Sequence, residues 1–243
     1  AGYTLTELAD LMSAPKSSLF SIVHTLCGRR FLSQNPNSGR YTIGFESFVV
    51  GSAFLDSQTP YEHIKKEMTA VVNGCGEICQ MGILDKGQVL YVAKVDSSES
   101  VRLISHIGKR LPPNCSALGK ALLMNESPAA LRALLACPGS MQRLTPHSIT
   151  DVDFLLGQLD TFRASGIAEE YRESDDGIQC YAVPLMANGR TVAALSVSVP
   201  IFRMTADKTE QIQTSLVKAR GNIESLLQET NMELDFFSFV GAR

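Results

Sequence analysis

Near the start of the chain, Leu5, Leu8, Ala9 and Met12 recur at helical spacing, so they share one face of a predicted helix. Thr4 or Thr6 can cap it. Ser13-Ala14-Pro15 interrupts the pattern, and Pro15 suits the opening turn of a second helix, predicted from Lys16 to about Gly28. Leu19, Ile22, Val23 and Leu26 form its apolar face, and Ser17, Ser18, Ser21, His24 and Thr25 form a short polar one. Two short helices joined by a tight turn, the second with such a face, follow the rules of a helix-turn-helix. Two strand-like pieces, 31–34 and 40–43, flank Asn35-Pro36-Asn37-Ser38-Gly39, a strong turn signal, and predict a β-hairpin wing. Residues 46–55 predict a linking helix with Phe48, Val49 and Phe54 apolar. Thr59-Pro60 marks a boundary, with a helix from Tyr61 to Val72 beyond it.

The remainder reads as α+β. Strands at 78–84 and 88–95 flank Asp85-Lys86-Gly87, a hairpin signal, and 101–107 is expected to be a third strand. Ser116 can cap a helix through Met124, and Ser127-Pro128 opens another through Leu135. Thr150 with Asp153 resembles a capping box, for a helix that stops before Gly166. Strands at 178–186 and 191–199 flank Ala187-Asn188-Gly189. A long helix over 205–230 carries Ile212, Leu216, Ala219, Ile223 and Leu226 as one stripe. The apolar Phe236-Phe237-Ser238-Phe239 is expected to pack as a tail or dock onto a partner subunit.

The 243 residues suit one domain of about 60 residues and one of about 180. At 44% hydrophobic and 19% charged, the chain has an ordinary globular balance with enough apolar material for a core. No apolar run approaches the roughly 20 residues of a membrane span, and AGYTLTELAD has no signal-peptide pattern. The six cysteines, Cys27, Cys75, Cys79, Cys115, Cys137 and Cys180, are scattered, which favours reduced thiols and a cytoplasmic location. Cys75 and Cys79 lack the partner pair that a zinc site needs. From Ser13 to Gly44 there are four basic residues and no acid; against −3 overall, that leaves −7 elsewhere. A local basic stretch on an acidic chain is the footprint of a DNA-contacting module.

Three stretches, LTELADLMSAPKSSLFSIVHTLCGRRFL with NPNSGRYTIG, then CSALGKALL, then GIQCYAVPLMANGRTVAALSVSVP, resemble the isocitrate lyase regulator (IclR) family in order and spacing. The resemblance implies a winged helix-turn-helix at 1–44, a linker helix at 45–59 and a GAF-like effector-binding domain at 60–243. It also implies homodimers, often paired into homotetramers, whose operator binding responds to a small organic acid or aromatic compound. Family members usually carry a further helix before LTELADL. They often have Gly where Ser13 stands, Arg where Ser21 stands, and a pair of acids where Arg172-Glu173 stand.

Base edges in the major groove are read from the start of a recognition helix, which makes Ser17, Ser18, Ser21 and His24 candidates. Lys16, Arg29, Arg30 and Arg40 are expected on phosphates. For the effector, Cys115, Ser116, Ala117 and Leu118 sit at a helix start whose amides favour an anion; Ser116 is also an ordinary N-cap. Ser196 and Ser198 share one face of an apolar strand, as a hydroxyl pair for a carboxylate. A three-residue loop at 187–189 places Cys180 opposite Ser196 and Ile178 opposite Ser198, whereas a two-residue loop turns Cys180 to the other face. In relatives, the positions matching Ala117, Leu118, Glu170, Cys180, Ser196 and Ser198 line the ligand site. Met81, Val101 and Leu103 are expected in ordinary core, with apolar pocket wall the alternative.

The expected function is a DNA-binding regulator, a repressor, controlled by a small carboxylate metabolite, with no cofactor or metal. Two rivals differ in class: a GAF-like signalling domain without DNA binding, and a hydrolase using Cys180 or Cys115 with His106 or His147. The hydrolase lacks a local nucleophile–base motif.

Overall fold

Thr4 starts the first helix, α1 (Leu5–Met12), through a reciprocal capping box: its hydroxyl accepts the Glu7 N–H while Glu7 accepts the Thr4 N–H. The computed structural model describes residues 2–56, 59–99 and 105–229, in two units, Ala1–Tyr61 and Glu62–Arg243. In the first unit, Ser13 closes α1 in the left-handed conformation, the conformation favoured by the glycine that often stands there in relatives. Helix α2 (Lys16–Gly28) follows. Ala9, Leu19 and Val23 form a small core, with Leu5, Leu8, Cys27, Leu32 and Tyr41 packed around it. Ile22, expected to face inward, is exposed, because the contact with α1 runs through Leu19 and Val23 instead.

Strands β1 (Leu32–Gln34) and β2 (Tyr41–Ile43) form the wing. Asn35 shapes its tip by accepting the N–H groups of Asn37 and Ser38 at 2.9 and 3.0 Å. Tyr3 bridges to Tyr41, so the segment before α1 adds a pairing the pattern did not predict. Helix α3 (Phe45–Asp56) follows the wing.

In the second unit, helix α4 (Thr59–Cys75) precedes strands β3 (Ile78–Asp85), β4 (Gln88–Val95) and β5 (Arg110–Leu111). Of the strand expected at 101–107, residues 101–104 lie outside the described residues, and 105–107 are not extended in a strand. A 3-10 turn (Pro113–Cys115) leads into α5 (Ala117–Leu123); α6 (Pro128–Leu135) and α7 (Val152–Ser165) follow. The cap of α7 is Asp151, which accepts the Phe154 N–H at 2.8 Å, rather than Thr150. Then come β6 (Ala168–Tyr171), β7 (Ile178–Ala187), β8 (Arg190–Pro200) and α8 (Ala206–Glu229). The buried stripe of α8 ends on Leu227, not Leu226. The Phe236-Phe237-Ser238-Phe239 segment lies outside the described residues.

The strands make one antiparallel sheet in the order β5-β4-β3-β8-β7-β6. Alternation divides its residues between two faces. One face carries Gln80, Glu170, Cys180, Ser196 and Ser198 and is covered by α5, with α6 and α7 behind it. The other carries Met81, Val183, Leu195 and Val197, all buried, and α8 packs there against β7 and β8. Met81 is therefore core, as expected; Val101 and Leu103 lie outside the described residues. Helix α4 runs beside α8, so close at Gly74 that a Cβ would come within 2.8 Å of Ser215 Oγ.

Both hairpins turn on two residues, not three. Lys86-Gly87 and Asn188-Gly189 all have positive φ, the geometry of a type I′ turn. By itself the second turn would put Cys180 opposite Val197. A bulge prevents this: Leu185 pairs with Ala193 and Met186 with Thr191, leaving Val192 as the extra residue. The net register sets Cys180 opposite Ser198 and Ala182 opposite Ser196. Cys180 and both serines thus share a face, as expected, but through a short turn plus a bulge and two residues out of the expected pairing.

Candidate functional site

Between α5 and the sheet lies a cavity of about 260 Å³, roughly nine liquid waters at about 30 Å³ each. Ser116, Ala117, Leu118, Glu170, Cys180, Ser196 and Ser198 all line it. Cys115 does not: it is fully buried, and its thiol turns away to the Pro112 carbonyl.

The floor is a chain of hydrogen bonds. Cys180 Sγ lies 3.1 Å from Glu170 Oε1 and 3.2 Å from Ser198 Oγ. Ser198 donates to Gln80 Oε1 at 2.9 Å, and Ser196 reaches the same oxygen at 3.4 Å. Gln80 Nε2 then donates to Ser105 Oγ at 2.8 Å. Both serines therefore direct their protons to Gln80 and present lone pairs inward, the reverse of the donor pair that the strand pattern suggested.

Ser116 serves as an N-cap. Its hydroxyl accepts the Gly119 N–H at 3.1 Å and donates to Pro112 O at 3.4 Å. The helix it caps has only seven residues, so the helix start is a poor anion anchor. Lys109, half-buried in the cavity wall, is the cation the wall offers. Gly119 lets α5 settle onto the preceding turn: a Cβ there would lie 2.3 Å from Pro113 Cα, closer than backbone can yield.

Glu170 reaches the cavity because β6 pairs with β7, Glu170 opposite Cys180. The chain then folds back sharply at Arg172, which has φ 61. Thr145 and Ser148 hold this corner by donating to the carbonyls of Arg172 and Glu173 at 2.6 and 2.7 Å. The corner's N–H groups point at Glu170: Glu173 N at 2.8 Å and Ser174 N at 3.2 Å, with Ser174 Oγ at 2.8 Å. Burial pushes the Glu170 carboxyl above the usual carboxylate range, and these hydrogen bonds pull it back only in part.

Behind the cavity, Lys120 of α5 is wholly buried. Its ammonium meets Glu173 Oε1 at 2.6 Å, Gln158 Oε1 at 3.1 Å and the Glu169 carbonyl at 3.2 Å. Glu173 Oε2 has no hydrogen-bond partner among the described residues. Sequence reasoning named neither Lys120 nor Gln80, Tyr91, Ser105, Lys109 and Ser174. A single Gln inside the apolar run ICQMGIL was a usable signal; a Lys inside ALGKALL looks like any exposed helix charge.

Neither candidate nucleophile is activated. Burial drives the Cys180 thiol well above its ordinary value and pushes Cys115 up to about 12, where the reactive thiolate is scarce. His106 and His147 are exposed, and the Cys180 thiol contacts Glu170 and Ser198.

On α2, Lys16, Ser17, Ser18, Ser21 and His24 are exposed, as is Arg29 beyond it. Arg30 is 3.6 Å from Glu46 and stacks over the Phe45 ring at 5.7 Å. Arg40 is half-buried and grips both Glu7 oxygens at 2.9 and 3.0 Å, fastening the wing to α1. The Thr4 amide and this guanidinium together hold the Glu7 carboxyl below its ordinary value.

A winged helix-turn-helix followed by a sheet domain with a polar cavity is the architecture of a ligand-responsive transcriptional regulator. Residues 53–224 match the family model described as bacterial transcriptional regulator IclR C-terminal, and the chain belongs to the IclR family. It is 29% identical over 220 residues to HTH-type transcriptional regulator KdgR of Dickeya chrysanthemi, covering 90% of this chain and 72% of that one. It is 30% identical over 214 residues to HTH-type transcriptional regulator XynR of Escherichia coli (strain K12), covering 86% and 84%. In fold it matches an IclR transcriptional regulator from Alicyclobacillus acidocaldarius, with a TM-score of 0.84, 24% identity, and coverage of 92% and 90%. These relatives are transcriptional regulators, not enzymes. No described helix is long and apolar enough to cross a membrane.

Proposed function

We propose that the chain is a cytoplasmic repressor that binds operator DNA as a homodimer, with dimers pairing into tetramers, and that a small carboxylate metabolite in the cavity modulates this binding. The polar cavity carries the reading: the residues expected on an effector converge there, Cys115 excepted, and Lys109 gives the carboxylate a counter-charge. Its volume favours an acid of a few carbons over a drug-sized molecule. Ser17, Ser18, Ser21 and His24 read bases, while Lys16, Arg29 and Arg30 contact phosphates. Arg40 can join them only by sharing its guanidinium with Glu7.

An exposed apolar stripe on α3, Phe45, Phe48 and Val49, supports pairing through that helix. A dimer makes the operator a palindrome with half-sites about 34 Å apart.

The test is selection of duplexes from a random pool, followed by anisotropy titration of the selected duplex with and without short acids. Selective, salt-sensitive binding that an acid changes is the expected result. By linkage, the duplex must then alter acid affinity by the same factor. A protein that binds acids but selects no duplex would be a sensor without a DNA partner, and the proposal would fail.

A further inference from the structure

Three charged side chains line the cavity: Lys109, Glu170 and Asp175. Asp175 is exposed, and its Oδ1 accepts the Gly177 N–H at 2.9 Å. Glu170 is only 1% exposed. Among the described residues no cation lies within ion-pair distance of it, since Lys120 pairs with Glu173 instead. Its partners are all uncharged: two backbone amides, the Ser174 hydroxyl and the Cys180 thiol. A buried carboxylate satisfied by neutral donors still carries an uncompensated charge.

A plain carboxylate entering this cavity meets Lys109 on its half-buried side but brings a second negative charge toward Glu170. The neighbouring acceptors worsen the match, because Ser196 and Ser198 point their protons at Gln80. The Tyr91 hydroxyl also lines the cavity, but none of the donors at the closed end carries a charge that offsets Glu170. The Cys180 thiol and the Ser174 hydroxyl are the side-chain donors to Glu170, and a ligand can displace either without unfolding the 172–174 corner; the thiol is the weaker of the two.

We propose that the effector is a short acid bearing a strong hydrogen-bond donor, an ammonium or a hydroxyl, that faces Glu170 while its carboxylate faces Lys109. This rests on the reading of the cavity as a carboxylate site and adds a requirement to it: Glu170 selects against acids with purely apolar tails.

The experiment is calorimetric titration of the full chain with propionate, glycerate and β-alanine, three acids of one chain length that differ in their donors. Glycerate or β-alanine should bind at least about tenfold more tightly than propionate, as expected when a polar site meets an analogue lacking the matching group. The winner identifies the donor as hydroxyl or ammonium. In Glu170→Gln the preference should collapse to within about threefold, while Lys109→Ala weakens all three acids together. Propionate binding as well as the others would overturn the donor requirement and leave the carboxylate site standing. A preference that survives in folded Glu170→Gln would overturn the role of Glu170. If none of the three binds, the carboxylate reading and this one fall together. The ratio in the unmodified protein needs no variant, so it stands even if Glu170→Gln does not fold.

Discussion

Cys180 Sγ lies 3.2 Å from Ser198 Oγ across the β7–β8 ladder, and the two meet because Val192 stands out of register in β8. The Asn188-Gly189 turn sets one parity and the bulge reverses it, so cavity residues come to one face. The bulge absorbs Val192 as one extra residue, so removing that residue lets the regular ladder from the turn form the same pairs beyond it. Deleting Val192 should therefore leave Cys180 opposite Ser198 and preserve the response to acids, with the thermal midpoint changed by a few degrees at most. Scanning fluorimetry of the deletion variant checks this; loss of the response would mean that the bulge itself shapes the cavity.

Lys120 and Glu173 form a buried ion pair with one oxygen left over. Removing only the lysine strands a carboxylate in the interior. Lys120→Met should cost about 3–5 kcal/mol, and adding Glu173→Gln should recover a good part of it. Urea unfolding of the two single variants and the double variant measures the coupling. Simple additivity would show that the pair is not energetically linked.

Ser21 is exposed on α2, at a position where the family resemblance implies arginine. Ser21→Arg adds to each subunit a cation long enough to reach a phosphate beside the base that Ser21 is proposed to read. The slope of log affinity against log salt should steepen by about 0.9 per added contact. Anisotropy over a salt series reads the slope directly; an unchanged slope would place residue 21 away from the backbone.

Burial raises the Glu170 carboxyl above its reference value of 4.5. The folded state thus binds this proton more tightly than the unfolded state. The associated stability is complete below 4.5 and is lost as pH rises through the folded value. Glu170→Gln, which does not titrate, should gain on the parent in thermal midpoint as pH rises from about 4 to about 7. A difference that stays flat across that range would assign the titration elsewhere.

How much of this was readable beforehand depended on whether a signal was local. The Thr4 and Ser116 caps, the α2 polar face and the Ser196–Ser198 alternation are written within a turn or a strand, and each was found where expected. Strand β6 was missed because AEEY is four residues long with acids at its centre, and its strand character comes from pairing with β7. The register of Cys180 could not be derived, since a bulge is a tertiary choice that the sequence does not mark. Lys120 escaped for a related reason. Its burial depends on Glu173, fifty-three positions away, and nothing near ALGKALL announces that partner.

The thiol at the cavity floor has one more consequence. Oxidants attack thiolates, and Cys180 is held firmly protonated by its burial and by the carboxylate beside it. A receptor with a cysteine against its ligand could have confused two messages, the abundance of a metabolite and the oxidative state of its surroundings. Here burial and the neighbouring carboxylate keep that sulfur as the thiol, so in the proposed sensor this cavity answers to occupancy rather than to peroxide.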